Sequence, residues 1–343
     1  MADAGVPPER ARAVAETGRL DPAALDGKLK SSAEPFVLRG IAKDWPLVRA
    51  GVEAGGKGAR DYLVRHARDR SFEVNVGQPG QGGRLFYDDG MEMNFRMGRA
   101  TLADIFAGID ANEDKPDAPV IYLSSLEMKD YFEGLDAANR IDLGDRRTRD
   151  SIWIGTRTCI AAHNDQPDNL AVCAVGRRRF TLFPPECFAD LYLGPLENTP
   201  AGRAVSMVDL GAPDFDRYPR FRNALASAQV AELEPGDALF IPSMWYHHVD
   251  ALDPFNVLVN YWWRETPPFL GDAEQAMLHA ILAIRDLPEA ARVRWKALFD
   301  HYVFSGGADA RPHLPEGKRG ILDPLDGESA SRLRAFLLRM LSR

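Results

Sequence analysis

The sequence predicts a mainly β fold, an antiparallel sandwich or barrel with helices on both flanks. Three observations lead there. From Trp153 to Thr266 the chain runs as short apolar stretches broken by Pro, Gly and Asp, which suits antiparallel strands better than βαβ crossovers. After Pro267-Pro268 the spacing turns helical: Ala273, Ala276, Met277, Ala280, Ile281 and Ile284 form one stripe, and Leu333, Phe336, Leu337, Met340 and Leu341 another. The first thirty residues are polar and read as helical, with Asp21-Pro22 as N-cap and first helical position. The chain thus divides into an N-terminal helical segment (1–30), a β domain (31–266) and a C-terminal helical region (267–343). The last packs on its own domain or serves as a homodimerisation unit.

Within the β domain the elements follow in order. Pro35 to Gly40 starts a short apolar strand, and the proline of Asp44-Trp45-Pro46 stops regular structure. A helix is expected over Ala59–His66, then strands over Ser71–Val76 and Arg84–Tyr87 with the Gly-rich Gly77–Gly83 as a turn between them. Gly80-Gln81-Gly82 has no helix behind it and takes no phosphate-binding role. Thr101–Ile109 has helical spacing, with Asp104 three residues after a capping threonine. Asn112–Pro119 is a charged, Pro-bearing linker, and Val120–Leu123 reads as a strand.

Composition narrows the function. With 343 residues, 45% hydrophobic and 27% charged, the chain can bury a large core, and no stretch approaches the ~20 apolar residues that span a bilayer. The opening ten residues lack the basic flank and apolar run of a secretory signal, so the protein reads as soluble and cytoplasmic. A net charge of −8 with scattered cations argues against nucleic acid as a partner, because phosphate binding needs a basic face. Cys159, Cys173 and Cys187 have no C-x-x-C spacing and read as buried thiols.

The chemistry centres on Ala161-Ala162-His163-Asn164-Asp165-Gln166-Pro167-Asp168-Asn169. Residues two apart on a strand share a face, so His163 and Asp165 can offer an imidazole and a carboxylate to one metal ion. His248-Val249-Asp250 repeats the pattern, so the pair alone does not identify a site. In Gly236 to Val249 an apolar strand ends at Pro242 and a second opens with His247 and His248. Alternation puts His247 with Val249 and Ala251 on the apolar, inward face, and makes His248 with Asp250 a solvated outward pair.

With that segment in view, the chain resembles the JmjC-type, cupin-like oxygenases that use iron(II) and 2-oxoglutarate, in particular the branch of the asparaginyl hydroxylase that inhibits hypoxia-inducible factor. The likeness runs in family order through Pro35–Gly40 with Trp45-Pro46, Asn94-Phe95, His163-x-Asp165, Gly176 through Pro185, Asp214–Phe221, Gly236-Asp237, Ile241-Pro242, Trp245-Tyr246-His247 and Asn260-Tyr261-Trp262. It implies a double-stranded β-helix, the jelly roll of cupins, for residues 30 to 265. It also implies His163, Asp165 and His247 as iron ligands, with 2-oxoglutarate and O₂ taking the remaining positions, and a hydroxylase that couples decarboxylation of 2-oxoglutarate to oxidation of a substrate C–H.

Position by position, the resemblance implies more. Where the family places a lysine for the distal carboxylate of 2-oxoglutarate, this chain has Arg178, whose planar fork can hold the same group. Alternation agrees, since Arg178, Phe180 and Leu182 share one face. Asn169, Asn260 and Tyr122 match residues lining the co-substrate pocket, and Trp262 an aromatic near the iron. Ile160 replaces a family threonine that would hydrogen-bond the co-substrate. Trp45, Trp245 and Trp263 are expected to pack in the core. The implied substrate is a protein or peptide side chain. A small molecule, N-methyl demethylation, a zinc or nickel cupin and a non-catalytic binding barrel are the alternatives.

Overall fold

The computed structural model describes residues 11–113, 115, 118–306 and 308–342. The reading of the opening ten residues lies outside them. The chain forms two compact units, Met1–Arg264 and Glu265–Arg343.

The first unit begins with strands β1 (Arg12–Ala13) and β2 (Ala15–Thr17), helix α1 (Pro22–Ser31), strand β3 (Phe36–Leu38) and helix α2 (Pro46–His66). Then come β4 (Phe72–Gly77), β5 (Phe95–Ala100), α3 (Leu102–Asp110), β6 (Val120–Glu127) and the one-turn helices α4 (Met128–Tyr131) and α5 (Leu135–Ala138). The remaining strands are β7 (Arg149–Gly155), β8 (Cys159–Asn164), β9 (Asp168–Val175), β10 (Arg178–Phe183), β11 (Gln229–Leu233), β12 (Ala238–Ile241), β13 (Tyr246–Ala251) and β14 (Asn256–Trp263). A short helix α6 (Phe221–Ala226) precedes β11.

Two sheets face each other. The smaller runs β1-β11-β10-β13-β8, and the larger runs β2-β3-β12-β9-β14-β7-β6-β4-β5. Within them β11-β10-β13-β8 and β12-β9-β14-β7 follow the strand order of an eight-stranded jelly roll. Strand alternation sorts the core. Ala171, Phe180, Leu182, Leu239, Val249 and Leu258 meet between the sheets. The alternate residues of the larger sheet, among them Val172, Phe240, Val257 and Val259, pack outward against Leu25 and Leu29 of α1, Leu63 of α2 and Ile105 and Phe106 of α3.

Five local expectations change. Residues 12–17 are strand rather than helix: β1 lies parallel to β11 and β2 parallel to β3, closing one edge of each sheet. Such short edge strands carry no periodicity; a partner far along the chain creates them. Pro46 starts α2 instead of ending structure, because a proline at the first helical position has no N–H to satisfy; that helix runs to His66 with a kink at Ala54-Gly55. Arg84–Tyr87 makes only isolated bridges, Arg84 to Cys159 and Tyr87 to Met93, while the strand pairing with β4 is Phe95–Ala100. His248 is not solvated but 4% exposed. Of the three cysteines expected to be buried, Cys173 and Cys187 are, whereas Cys159 is only half-buried, at the start of β8. Thr101 caps α3 by accepting from the Asp104 N–H, and Trp45, Trp245 and Trp263 are buried, as expected.

Gly176 shapes the approach to the site. It turns β9 into β10 at φ +71°, and a Cβ there would lie 2.4 Å from Asn256 Oδ1 and 2.7 Å from the Phe255 carbonyl. Only glycine fits that turn, which delivers Arg178 two residues later as the first residue of β10.

The second unit carries α7 (Ala273–Ile284), α8 (Glu289–Phe299) and α9 (Gly327–Leu341). Asp326 and Ser329 cap α9 reciprocally, and Phe336, Leu337, Met340 and Leu341 on that helix are exposed. No helix among the described residues is long and apolar enough to cross a membrane.

Candidate metal centre and co-substrate pocket

His163, Asp165 and His247 come together at the end of the smaller sheet. His163 and His247 are direct cross-strand partners on β8 and β13, while Asp165 stands one residue beyond β8, in the turn to β9. That turn is pinned by the Met244 N–H, which donates to the Asp165 carbonyl at 2.8 Å. The rings of the two histidines lie 4.4 Å apart, and His247 Nε2 is 3.7 Å from Asp165 Oδ2. One donor atom from each of the three residues falls within 4.8 Å of the others.

Both imidazoles are aimed by their own strands. His163 Nδ1 lies 2.9 Å from the Ala161 carbonyl and His247 Nδ1 3.2 Å from the Trp245 carbonyl. A carbonyl only accepts, so Nδ1 carries the proton in each ring and the Nε2 lone pair is left for a ligand. Burial, reinforced by the neighbouring His163, pushes the pKa of His247 down to about 4, against the pull of Asp165. His247 is therefore a neutral donor at neutral pH. Two imidazoles and one carboxylate on one side are the donor set of a 2-His-1-carboxylate iron(II) centre, with the opposite positions open.

The sign of a pH effect follows. The unfolded chain protonates His247 near its ordinary value of 6.5, whereas the folded site resists until about 4. Stability present above pH 6.5 is thus lost as the pH falls towards 4. The thermal midpoint of metal-free protein should drop between pH 7 and pH 5, with a shallower drop in His247→Gln. Equal slopes in the two proteins would show that His247 is not the group responsible.

Inside the barrel, Arg178 is 2% exposed, yet its guanidinium makes no ion pair or hydrogen bond to any described residue, and its Nε is buried without a partner. Burial pulls its pKa down, and Tyr122 and Cys173 beside it pull the other way. Burial likewise pushes the Tyr122 phenol up to about 12 against the opposing Arg178 charge, so it stays a neutral hydroxyl. Asn169 and Asn260 are both 3% exposed, and Asn260 Nδ2 donates to Asn169 Oδ1 at 2.6 Å.

Trp262, itself half-buried, pairs across the sheet with Asn169 near the end of β14. It meets Trp153 edge-on at 5.9 Å, and Trp153 stacks on Tyr122 at 5.9 Å. Ile160, which stands where the family has a threonine, joins the apolar contacts around Tyr122 and Trp153.

Among the buried, unpaired polar atoms on these strands are Ser151 Oγ, Trp153 Nε1, Arg178 Nε, Asn260 Oδ1 and Trp262 Nε1. Buried polar groups are nearly always satisfied, so these orphaned atoms, with an unpaired guanidinium on β10, set this interior apart from an ordinary core. Ser151 and Trp153 were not singled out in the sequence. The available signal was parity, since β7 pairs Ser151 with Asn260 and Trp153 with Leu258.

Comparison with known proteins agrees with this architecture. Residues 22–269 match the family described as cupin-like domain. The chain is similar to tRNA wybutosine-synthesizing protein 5 of Gallus gallus, 32% identical over 308 residues covering 78% of this chain and 89% of that protein. It is also similar to lysine-specific demethylase JMJ31 of Arabidopsis thaliana, 36% identical over 104 residues that make up 30% of this chain and 18% of that protein. HSPB1-associated protein 1 of Homo sapiens is 32% identical over 182 residues, 50% of this chain and 36% of that protein. A family match across most of the chain, a jelly-roll strand order and a relative alike over nearly its whole length make this chain a member of the cupin-like domain family, of JmjC-like type.

Proposed function

We propose that this protein is an iron(II)- and 2-oxoglutarate-dependent oxygenase, a hydroxylase acting on a protein or peptide side chain. The observation that carries the reading is Arg178: a buried guanidinium with no carboxylate beside it is costly unless an anionic ligand completes it. A dicarboxylate that reaches from Arg178 to the metal centre meets that need. His163, Asp165 and His247 would hold the iron. Bound there, iron supplies the activation of O₂ that links decarboxylation of 2-oxoglutarate to oxidation of a C–H bond.

The chain's own residues do the rest. Arg178 holds the distal carboxylate through parallel N–H donors, and the neutral Tyr122 hydroxyl adds a further donor. Asn169 and Asn260 orient the co-substrate as a pair, each fixing the other's amide. Trp153 and Trp262 wall the pocket with aromatic surface and exclude water, which strengthens every polar contact inside. Trp262, at the more open end, is the residue closest to where a substrate would enter. The exposed apolar side chains of α9 support a homodimer through the C-terminal helices.

A second substrate class has its own support. The relative alike over 89% of its length is named for tRNA wybutosine synthesis, which favours a modified tRNA base, whereas the net charge of −8 favours a neutral or basic peptide. Anaerobic titration with iron(II) and 2-oxoglutarate should produce the weak visible charge-transfer band of a chelated complex. Absence of that band, with tight zinc binding in its place, would overturn the oxygenase reading. Where the band appears, succinate formation stimulated by a peptide library but not by tRNA supports the first substrate class, stimulation by tRNA alone the second, and formaldehyde release a demethylase.

A further inference from the structure

On the opposite face of β13 from the metal centre, Cys159, His248 and Asp250 bring a thiol, an imidazole and a carboxylate together. Their donor atoms all lie within 4.8 Å of one another. His248 Nε2 is 3.6 Å from Cys159 Sγ and 3.1 Å from Asp250 Oδ1. The His248 side chain is 5% exposed and that of Asp250 16%, while Cys159 is half-buried.

Two features separate this cluster from an ordinary buried histidine. First, sulfur and carboxylate converge on the same ring nitrogen. In a thiol–imidazole–carboxylate relay the acid and the nucleophile engage opposite nitrogens. Here Nε2, with one hydrogen at most, faces both groups, while Nδ1 is buried without a partner. Second, the spacing is that of a tetrahedral cation site. With bonds of about 2.3 Å to sulfur and about 2.0–2.1 Å to nitrogen or oxygen, the S···N edge is about 3.6 Å and the N···O edge about 3.3 Å. The observed separations of 3.6 and 3.1 Å match the first edge and lie just inside the second.

We propose that Cys159, His248 and Asp250 form a second metal site, for a divalent cation of the zinc class, that staples β8 to β13 behind the catalytic histidines. A thiolate, an imidazole and a carboxylate suit a borderline-soft ion, and water completes the set through the open side at Cys159 and Asp250. The position gives the staple a purpose. Cys159 is paired with Asp250 and His163 with His247, and the register of the two strands slips between those pairs, at His248. A bulge is where a two-strand ladder is least constrained, so a cation clamping it holds His163 and His247 in register.

The test uses cobalt(II) chloride on the metal-free full chain, because cobalt bound to a thiolate gives an intense near-ultraviolet sulfur-to-metal band and the His163/Asp165/His247 centre contains no sulfur. Wild type should bind two cobalt ions and show the band, and zinc should displace it. Cys159→Ser should lose the band and one of the two ions. His248→Gln should lose the same ion, and Cys173→Ser should keep both. Asp165→Ala, which disables the other centre, should retain the band; its outcome therefore does not depend on the oxygenase reading. A wild-type protein without the band, or a band that survives Cys159→Ser, overturns the proposal.

Discussion

Arg178→Met should separate folding from co-substrate binding. Replacing a buried, unpaired charge by an apolar side chain of similar volume is usually neutral or stabilising. The ligand-free variant should therefore melt at or above the wild-type temperature. The same change removes the partner of the distal carboxylate, a loss of about 2–5 kcal/mol, or about 30-fold or more in affinity. Thermal protection by 2-oxoglutarate, measured with manganese in place of iron, should vanish in the variant, and Arg178→Lys should recover part of it. A structural arginine would behave in the opposite way, lowering the melting temperature while leaving the protection intact.

Asp165→Ala should abolish turnover without unfolding the protein. The carboxylate stands in a turn with 22% of the side chain exposed, and its near polar neighbour is His247 Nε2 at 3.7 Å. Its removal costs the fold little. Losing one of three metal donors forfeits several kcal/mol of charge stabilisation, on the order of 10³-fold or more in rate. Succinate release from 2-oxoglutarate should fall to background, with the far-ultraviolet circular dichroism unchanged. Retention of more than a tenth of the wild-type rate would remove Asp165 from the site.

The two predictions draw on residues of different legibility. Asp165 lies two positions from His163, and strand alternation places both on one side from the sequence alone. His247 was separable from His248 by the company of Val249 and Ala251, since one face of β13 had to meet the core. Arg178 is named by its position in the family likeness, and the same parity agrees. What parity could not supply is that no described acidic side chain pairs with Arg178 inside the barrel, while Arg177 reaches Asp253 and Arg179 reaches Glu232. Ion pairing is a matter of distance between strands, and distance is not written in alternation.

The missed features share that cause. His248 and Asp250 face away from the barrel, and an outward residue on a two-sheet protein is ordinarily wet. Here the long connection between β10 and β11 packs over that face, with Cys187, Leu191, Val208 and Phe221 meeting Phe183 and Tyr246. His248 lies two residues along the same face from Tyr246, and it meets Cys159 because the β8–β13 pairing sets Cys159 opposite Asp250. Trp153 reads as an ordinary strand residue until β6 and β14 bring Tyr122 and Trp262 against it.

By itself the sequence indicated the β character of the core and the inward residues of β10 and β13, which follow from periodicity and are local. The family likeness, carried by motifs in order along the chain, then named His163, Asp165 and His247 as candidate metal donors. The tertiary structure alone decided that residues 12–17 are edge strands, that Arg178 is an unpaired cation among orphaned polar atoms, and that Cys159, His248 and Asp250 converge on one nitrogen. Each of those depends on which distant segments the jelly-roll connections bring side by side, and no local pattern encodes that choice.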